Sequence, residues 1–279
     1  MNFGTLYIVA TPVGNLEDMT VRAVRILREV DLIAAEDTRH TRKLLTHFGI
    51  SKPLTSYFDH NKTVKGTMIL EKLKEGISVA LVSDAGTPCI SDPGYQLVRD
   101  AVAAGVPVVP IPGACAAVAA LSVSGLPTDS FVFEGFLPNR GGKRREKLTA
   151  LKDEKRLLIF YEAPSRLMAT LSDIADIFGN RNVVVAREIT KIYEELLRGR
   201  VSTILAALQG RQLKGEIVLL VGPSEEIPTV REDTVTDLLR RYLFSEGSTV
   251  KDAVRKVAQE TGVPKGKVYG QALRLKGDT

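Results

Sequence analysis

The chain has 279 residues, 44% hydrophobic and 25% charged, with a formal net charge of +5. That composition belongs to a globular protein of about two domains and excludes a disordered or fibrous chain. No apolar run approaches the roughly 18 residues that cross a bilayer. Cys89 and Cys115 lack metal-ligand spacing, as do His40, His47 and His60. The opening MNFGTLYIVATP reads directly as a strand, not as a basic leader. The expectation is a reduced, cytoplasmic protein with no metal and no membrane partner.

Two textures alternate in the first half. Residues 5–10 form an apolar strand. Residues 21–30 place Val21, Val24, Ile26, Leu27 and Val30 at helical spacing, behind Asp18 and Thr20 as caps. A strand over 31–35, helices over 41–48 and 63–74, a strand over 78–82, a helix over 95–104 and a strand over 106–111 follow. This alternation predicts an α/β domain over 1–123, with a mostly parallel sheet covered on both faces. Residues 113–124 are Ala-rich and helical, and Gly125-Leu126-Pro127 ends them.

A second α/β domain is expected over 124–223. Its strands, over 131–136, 156–161, 182–187 and 215–222, outnumber its helices, over 167–178 and 201–209, which predicts a mixed sheet. Residues 223–229 read as a linker. A helical extension over 230–279 follows, with helices over 235–243, 248–261 and 265–275. Its helix, short turn and basic helix match a helix-turn-helix module and equally a plain packing appendage.

The stretch LVSDAGTPCISDPG at 81–94 is the most informative in the chain. A buried strand empties into a loop in which Asp84 and Asp92 stand among Gly86, Pro88, Pro93 and Gly94. Ligands of open α/β sheets sit at such strand ends, where backbone and short side chains approach closely. A stiff acidic loop suits a ligand with hydroxyls or positive charge better than a bare phosphate. The loop ATPVGN at 10–15 is neither a dinucleotide fingerprint nor a phosphate-binding P-loop. In AEDTRH, Glu36, Asp37 and His40 are candidates for acid–base work, and Asp37 or Thr38 equally caps a helix. The loop PIPGACAA at 110–117 offers free amides at a helix start. In the second half, Arg166 and Arg187 pair in expectation with Glu162 and Glu188. Basic residues cluster over 39–43, 140–145 and 240–276, which permits a nucleic-acid partner and also a merely solvated face.

These motifs, with EGFLP, IFYEAPSRL, AREITKIYEE and GEIVLLV in the same order, resemble the tetrapyrrole-methylase-like superfamily of S-adenosylmethionine-dependent methyltransferases. AEDTRHT, SDAGTP and YEAPSR together resemble more closely its branch of bacterial small-subunit ribosomal RNA cytidine 2′-O-ribose methyltransferases. Ala163 stands where that branch often has Ser or Thr. The resemblance covers about residues 4–223 and implies two α/β domains with the S-adenosylmethionine cleft between them, and a homodimer. It implies cofactor contacts at Val13, Asp84, Thr87, Ala114, Cys115, Ala116, Tyr161 and Glu216. Asp37 is the first candidate base, with Glu36 and His40 behind it. Arg22, Arg39, Arg140, Lys143, Arg144 and Arg145 are the expected contacts to small-subunit ribosomal RNA. A tetrapyrrole methylase and a non-catalytic ribosome-binding protein are the alternatives.

Overall fold

A computed structural model describes residues 3–92, 94–224, 232–261 and 263–277. Residues 3–224 form one compact unit, and the helices after them form a second.

In the first unit, β1 (Leu6–Val9), β2 (Leu32–Ala35), β3 (Leu54–Ser56), β4 (Val79–Val82) and β5 (Val108–Ile111) form a sheet of order β3-β2-β4-β1-β5. All its pairings are parallel. Both faces are buried. Ala23, Ile26 and Leu27 of α1 (Val21–Glu29) cover one face, and Ile69, Leu73 and Leu97 of α3 (Lys62–Lys74) and α4 (Tyr95–Ala103) cover the other. That is why β4 is an unbroken apolar run. Thr20 caps α1 by accepting from the Ala23 N–H.

The second sheet has the order β6-β7-β10-β8-β9. Its strands are β6 (Phe131–Phe136), β7 (Leu157–Glu162), β8 (Asn182–Arg187), β9 (Glu195–Arg200) and β10 (Ile217–Val221). Only β6 and β7 run parallel, so the sheet is mixed. The helices α6 (Gly141–Ala150), α7 (Pro164–Phe178) and α8 (Val201–Leu208) build a core on one face. The other face receives Ala117, Ala120 and Leu121 of α5 (Ala116–Ser122), which pack on Ile159, Val184, Val218 and Leu220. Thus α5 leaves the first sheet and covers the second. The β5–α5 loop is thereby held beside the strand ends of both.

Some expectations need correction. The helix α2 (Thr38–His47) starts three residues before the expected Thr41, because Asp37 accepts from the Arg39 N–H and nucleates it. The helix α5 starts at Ala116, after the loop. The elements β3, α6 and β9 were not anticipated. β3 is only three residues, α6 is rich in Gly and Arg, and β9 is a polar edge strand. Arg187 pairs with Glu195 at 3.1 Å and not with Glu188, whose partner is Lys191 at 2.8 Å. Arg166 does meet Glu162.

The second unit contains α9 (Glu232–Arg240), a π-helical turn (Arg241–Ser245), α10 (Val250–Thr261) and α11 (Lys265–Gly277). Val235, Leu239, Val254, Val257, Val268 and Ala272 make its own core. The expected linker over 223–229 lies outside the described residues beyond Ser224, as does the start of the expected extension.

Candidate active site

Three loops leave the first sheet at the carboxyl ends of β1, β4 and β5, and hydrogen bonds tie them together. The Thr11 N–H donates to the Gly86 carbonyl at 2.9 Å, and the Gly86 N–H donates back to Thr11 at 3.0 Å. The Thr11 hydroxyl donates to the Ser83 carbonyl, and the Thr87 hydroxyl to that of Ala114 at 3.0 Å. Gly86 sits at φ +79°, and a Cβ there would stand 3.4 Å from Val13 Cγ1. A side chain there would be strained by the backbone conformation and would sit in contact with the neighbouring loops. Cys89 and Ser91 also adopt left-handed φ, +72° and +65°. Strain of this kind, on the order of 1–3 kcal/mol each, concentrates at ligand clamps.

These loops and the ends of β7, β8 and β10 enclose a cavity of about 430 Å³. That lies within the range of small-ligand sites. Its apolar wall includes Val13, Ile90, Ile189 and Phe136. Tyr161 stacks edge-on against Phe133 at 5.1 Å and tilts against Phe136 at 5.5 Å. Five carboxylates line it: Glu36, Asp84, Asp92, Glu162 and Glu216. No Lys, Arg or His is among the described lining residues.

Two of the five are already matched. Glu162 is buried, holds Arg166 at 2.5 Å, and accepts from the Thr170 hydroxyl at 2.6 Å and the Ala163 N–H at 2.7 Å. Glu216 meets Lys191 at 3.1 Å. The other three, Glu36, Asp84 and Asp92, have no cationic partner among the described residues. Burial, reinforced by Asp84, raises the Glu36 pKa above its ordinary value. Burial, reinforced by Glu36, pushes Asp92 up to about 6. Burial also raises the Tyr161 phenol to about 12 and the Cys89 thiol to about 11, so neither ionises near neutrality. The site can therefore accept hydrogen bonds, hold positive charge and take a proton. Among the described residues no unpaired cation lines it to cradle a phosphate chain.

The residues expected at the cofactor converge. Val13, Asp84, Thr87, Cys115, Ala116, Tyr161 and Glu216 all line the cavity, and Ala114 stands behind it through its carbonyl. Of the three acid–base candidates only Glu36 lines it. The Asp37 carboxylate faces α2, accepting from the Arg39 N–H at 2.8 Å and pairing with the Arg39 guanidinium at 2.7 Å. Those bonds to Arg39 hold its pKa far below the carboxylate range. His40 is exposed on α2.

The basic residues separate in the same way. Arg22, Arg39, Arg140, Lys143 and Arg145 are exposed. Arg144 is buried, with Nε 2.7 Å from Asp173 Oδ2, so it is spent on the α6–α7 contact and cannot meet a phosphate. Arg145 shares Asp173 at 2.6 Å and Asp176 at 2.9 Å. Sequence reasoning placed Asp92 in a ligand loop without a role of its own, and omitted Ile189 and Phe136 from the site. The DAGTPCISD loop contained the signal for Asp92, whereas nothing local marked the other two.

Residues 5–205 match the family model of Tetrapyrrole (Corrin/Porphyrin) Methylases. The chain is 50% identical over 270 residues to "Ribosomal RNA small subunit methyltransferase I" of Halalkalibacterium halodurans, covering 95% of this chain and 93% of that protein. It is 49% identical to the protein so named in Synechocystis sp., over 99% of both. The one in Escherichia coli O157:H7 is 48% identical over 98% of this chain and 96% of its own. Among solved structures, the uroporphyrin-III-C-methyltransferase of Thermus thermophilus superposes with a TM-score of 0.57 at 21% identity, covering 78% of this chain and 94% of that one. A cobalt precorrin-4 methyltransferase gives a TM-score of 0.60 at 18% identity, with coverage of 78% and 94%. Those two share the fold. The match across residues 5–205 and the near full-length identities place this chain in the tetrapyrrole methylase family and, within it, in the ribosomal RNA small subunit methyltransferase I family.

Proposed function

We propose that this chain methylates the ribose 2′-hydroxyl of a cytidine in the decoding region of small-subunit ribosomal RNA, with S-adenosylmethionine as donor. The observation that carries this reading is the cavity with five carboxylates and no cation among its described lining residues. S-adenosylmethionine brings a sulfonium and an ammonium, so its charge complements that lining. A tetrapyrrole substrate edged with carboxylates would be repelled by it. The curated relatives, methyltransferases of small-subunit ribosomal RNA by name, supply the substrate class.

When bound, the donor supplies an already activated methyl group. The protein is then left with positioning and the removal of one proton. In this reading the amides and carbonyls of the loops after β1, β4 and β5 hold the adenosine, and Tyr161 closes the aromatic wall. The residues Val13, Asp84, Thr87, Ala114, Cys115, Ala116, Tyr161 and Glu216 form the donor site, at the junction of lobes 1–123 and 124–223. Glu36 takes the proton from the ribose, its basicity raised by burial and by the neighbouring Asp84. It replaces Asp37, whose carboxylate is committed to Arg39. Arg22, Arg39, Arg140, Lys143 and Arg145 meet RNA phosphates. The chain works as a homodimer, which sedimentation velocity checks. No helix among the described residues is long and apolar enough to cross a membrane.

The test is transfer from labelled S-adenosylmethionine to small subunits lacking the modification, followed by mass-spectrometric mapping of ribose methylation. Appearance of a 2′-O-methylcytidine in the decoding region is expected. Label on a tetrapyrrole and none on RNA would overturn the reading.

A further inference from the structure

The last helix has a surface that its own unit leaves unused. Val268, Ala272 and Leu275 of α11 face the core of the second unit. Six other described residues of the helix are exposed: Lys265, Tyr269 and Leu273 stand one turn apart, and Lys267 and Arg274 lie two turns apart on the opposite side, with Gly266 between. Gly266 and Gly270 separate the two rows, and a Cβ at either would meet nothing within 4 Å. The surface is therefore a shallow, side-chain-poor strip between a Lys-Tyr-Leu row and a Lys-Arg row.

Its cations contrast with most of those on the neighbouring elements, Arg240 and Lys251 being the exceptions that make no ion pair among the described residues. In the π-helical turn and α10, Arg241 pairs with Glu246, Arg255 with Asp252 and Lys256 with Glu246. The segment 265–277 contains Lys265, Lys267, Arg274 and Lys276 and no acidic residue. Lys265, Lys267 and Arg274 make no ion pair among the described residues. Two glycines in an exposed helix cost about 1 kcal/mol each relative to alanine. They also remove the side chains that would keep a bulky partner at a distance. Unneutralised cations, an exposed Tyr ring and a surface open to close approach match nucleic acid, whose phosphates take the cations and whose unpaired bases stack on aromatic rings. An anionic membrane would need a broader apolar face than Tyr269 and Leu273 provide.

We propose that the exposed face of α11 is a second RNA-binding surface, which takes the phosphate backbone of small-subunit ribosomal RNA outside the methylation cavity and stacks an unpaired base on Tyr269. This rests on the reading of the chain as a ribosomal RNA methyltransferase. The surface anchors the substrate and takes no part in transfer.

The test compares the full-length protein with the K265E/K267E/R274E variant and with Y269A. Binding to small-subunit ribosomal RNA is followed by fluorescence anisotropy across a salt series. S-adenosylmethionine affinity and transfer at saturating subunits are measured alongside. The charge-reversal variant should lose about tenfold or more in RNA affinity, and its salt dependence should flatten by about two ions. Y269A should lose roughly five- to a hundredfold, the worth of one base stack. Donor affinity and kcat should remain within twofold, with the loss in KM. RNA affinity within twofold of wild type for both variants would overturn the surface and leave the enzymatic reading intact. So would binding of the wild type to phosphatidylserine vesicles, lost in the variants, with unchanged RNA binding. A wild-type protein that transfers nothing to RNA would overturn the enzymatic reading and this surface with it.

Discussion

The backbone N–H of Asp37 donates to Asp84 Oδ1 across 3.0 Å. A side chain in the loop after β4, itself one of the three carboxylates with no cationic partner among the described residues, thus fixes the backbone of the loop after β2. Asp84→Ala orphans that N–H and removes an acceptor from the cavity. Calorimetry should show S-adenosylmethionine affinity falling by about tenfold or more. Asp84→Asn keeps an oxygen for the N–H and removes only the charge, so its loss should be smaller. Equal affinity for wild type and Asp84→Asn would mean that the charge is not used.

Glu36 and Asp37 are adjacent in sequence and differ in surroundings: Glu36 lines the cavity, and Asp37 pairs with Arg39. Glu36→Gln should lower kcat by about 10²–10⁴-fold, the contribution typical of a positioned base, with donor affinity little changed. Asp37→Asn keeps a cap for α2 and should leave kcat within a few-fold. Single-turnover kinetics of the two variants make the comparison. The opposite ranking would return the base to Asp37.

Asp92 carries a pH signature. Its folded pKa of about 6 lies above the ordinary 3.8. The folded protein therefore holds this proton more tightly than the unfolded chain does. The resulting stabilisation is complete below about 3.8 and is lost as pH rises through about 6. Donor-free protein should thus lose less stability on acidification from pH 7 to pH 5 than Asp92→Asn does. Donor affinity should fall over the same interval, because a protonated Asp92 no longer attracts a cation. Thermal melts and calorimetry at pH 5, 6 and 7 read both.

Arg144 and Lys143 are neighbours with different work. Arg144→Ala removes one of the two guanidinium bonds to Asp173 and should cost about 2 kcal/mol, read by urea unfolding. Lys143→Ala should leave stability within about 0.5 kcal/mol. It should raise KM for the small subunit without changing kcat. A stability-neutral Arg144→Ala would contradict the buried pair.

Much of this molecule can be read along the chain, for physical reasons. Strand β4 and helix α1 announce themselves because burial on two faces demands an unbroken apolar run and burial on one face demands helical spacing. The loop after β4 declares itself because few functions other than ligand approach need that density of Gly, Pro and Asp. What stays hidden depends on partners distant in sequence. Arg144 looks like any other member of a basic run until Asp173 arrives from α7. Asp37 looks like an unpaired carboxylate until Arg39 turns back on it. Edge strand β9 has a polar pattern that only pairing with β8 makes a strand.

The charge asymmetry of the cavity also bears on turnover. Methyl transfer turns a sulfonium into an uncharged thioether, so the spent donor has one positive charge fewer than the fresh one. With the donor bound in this chamber as proposed, Glu36, Asp84 and Asp92, which no cation among the described residues matches, hold the fresh molecule more tightly than the spent one. Product departure is thereby favoured by the same electrostatics that recruit the reactant, without any moving part.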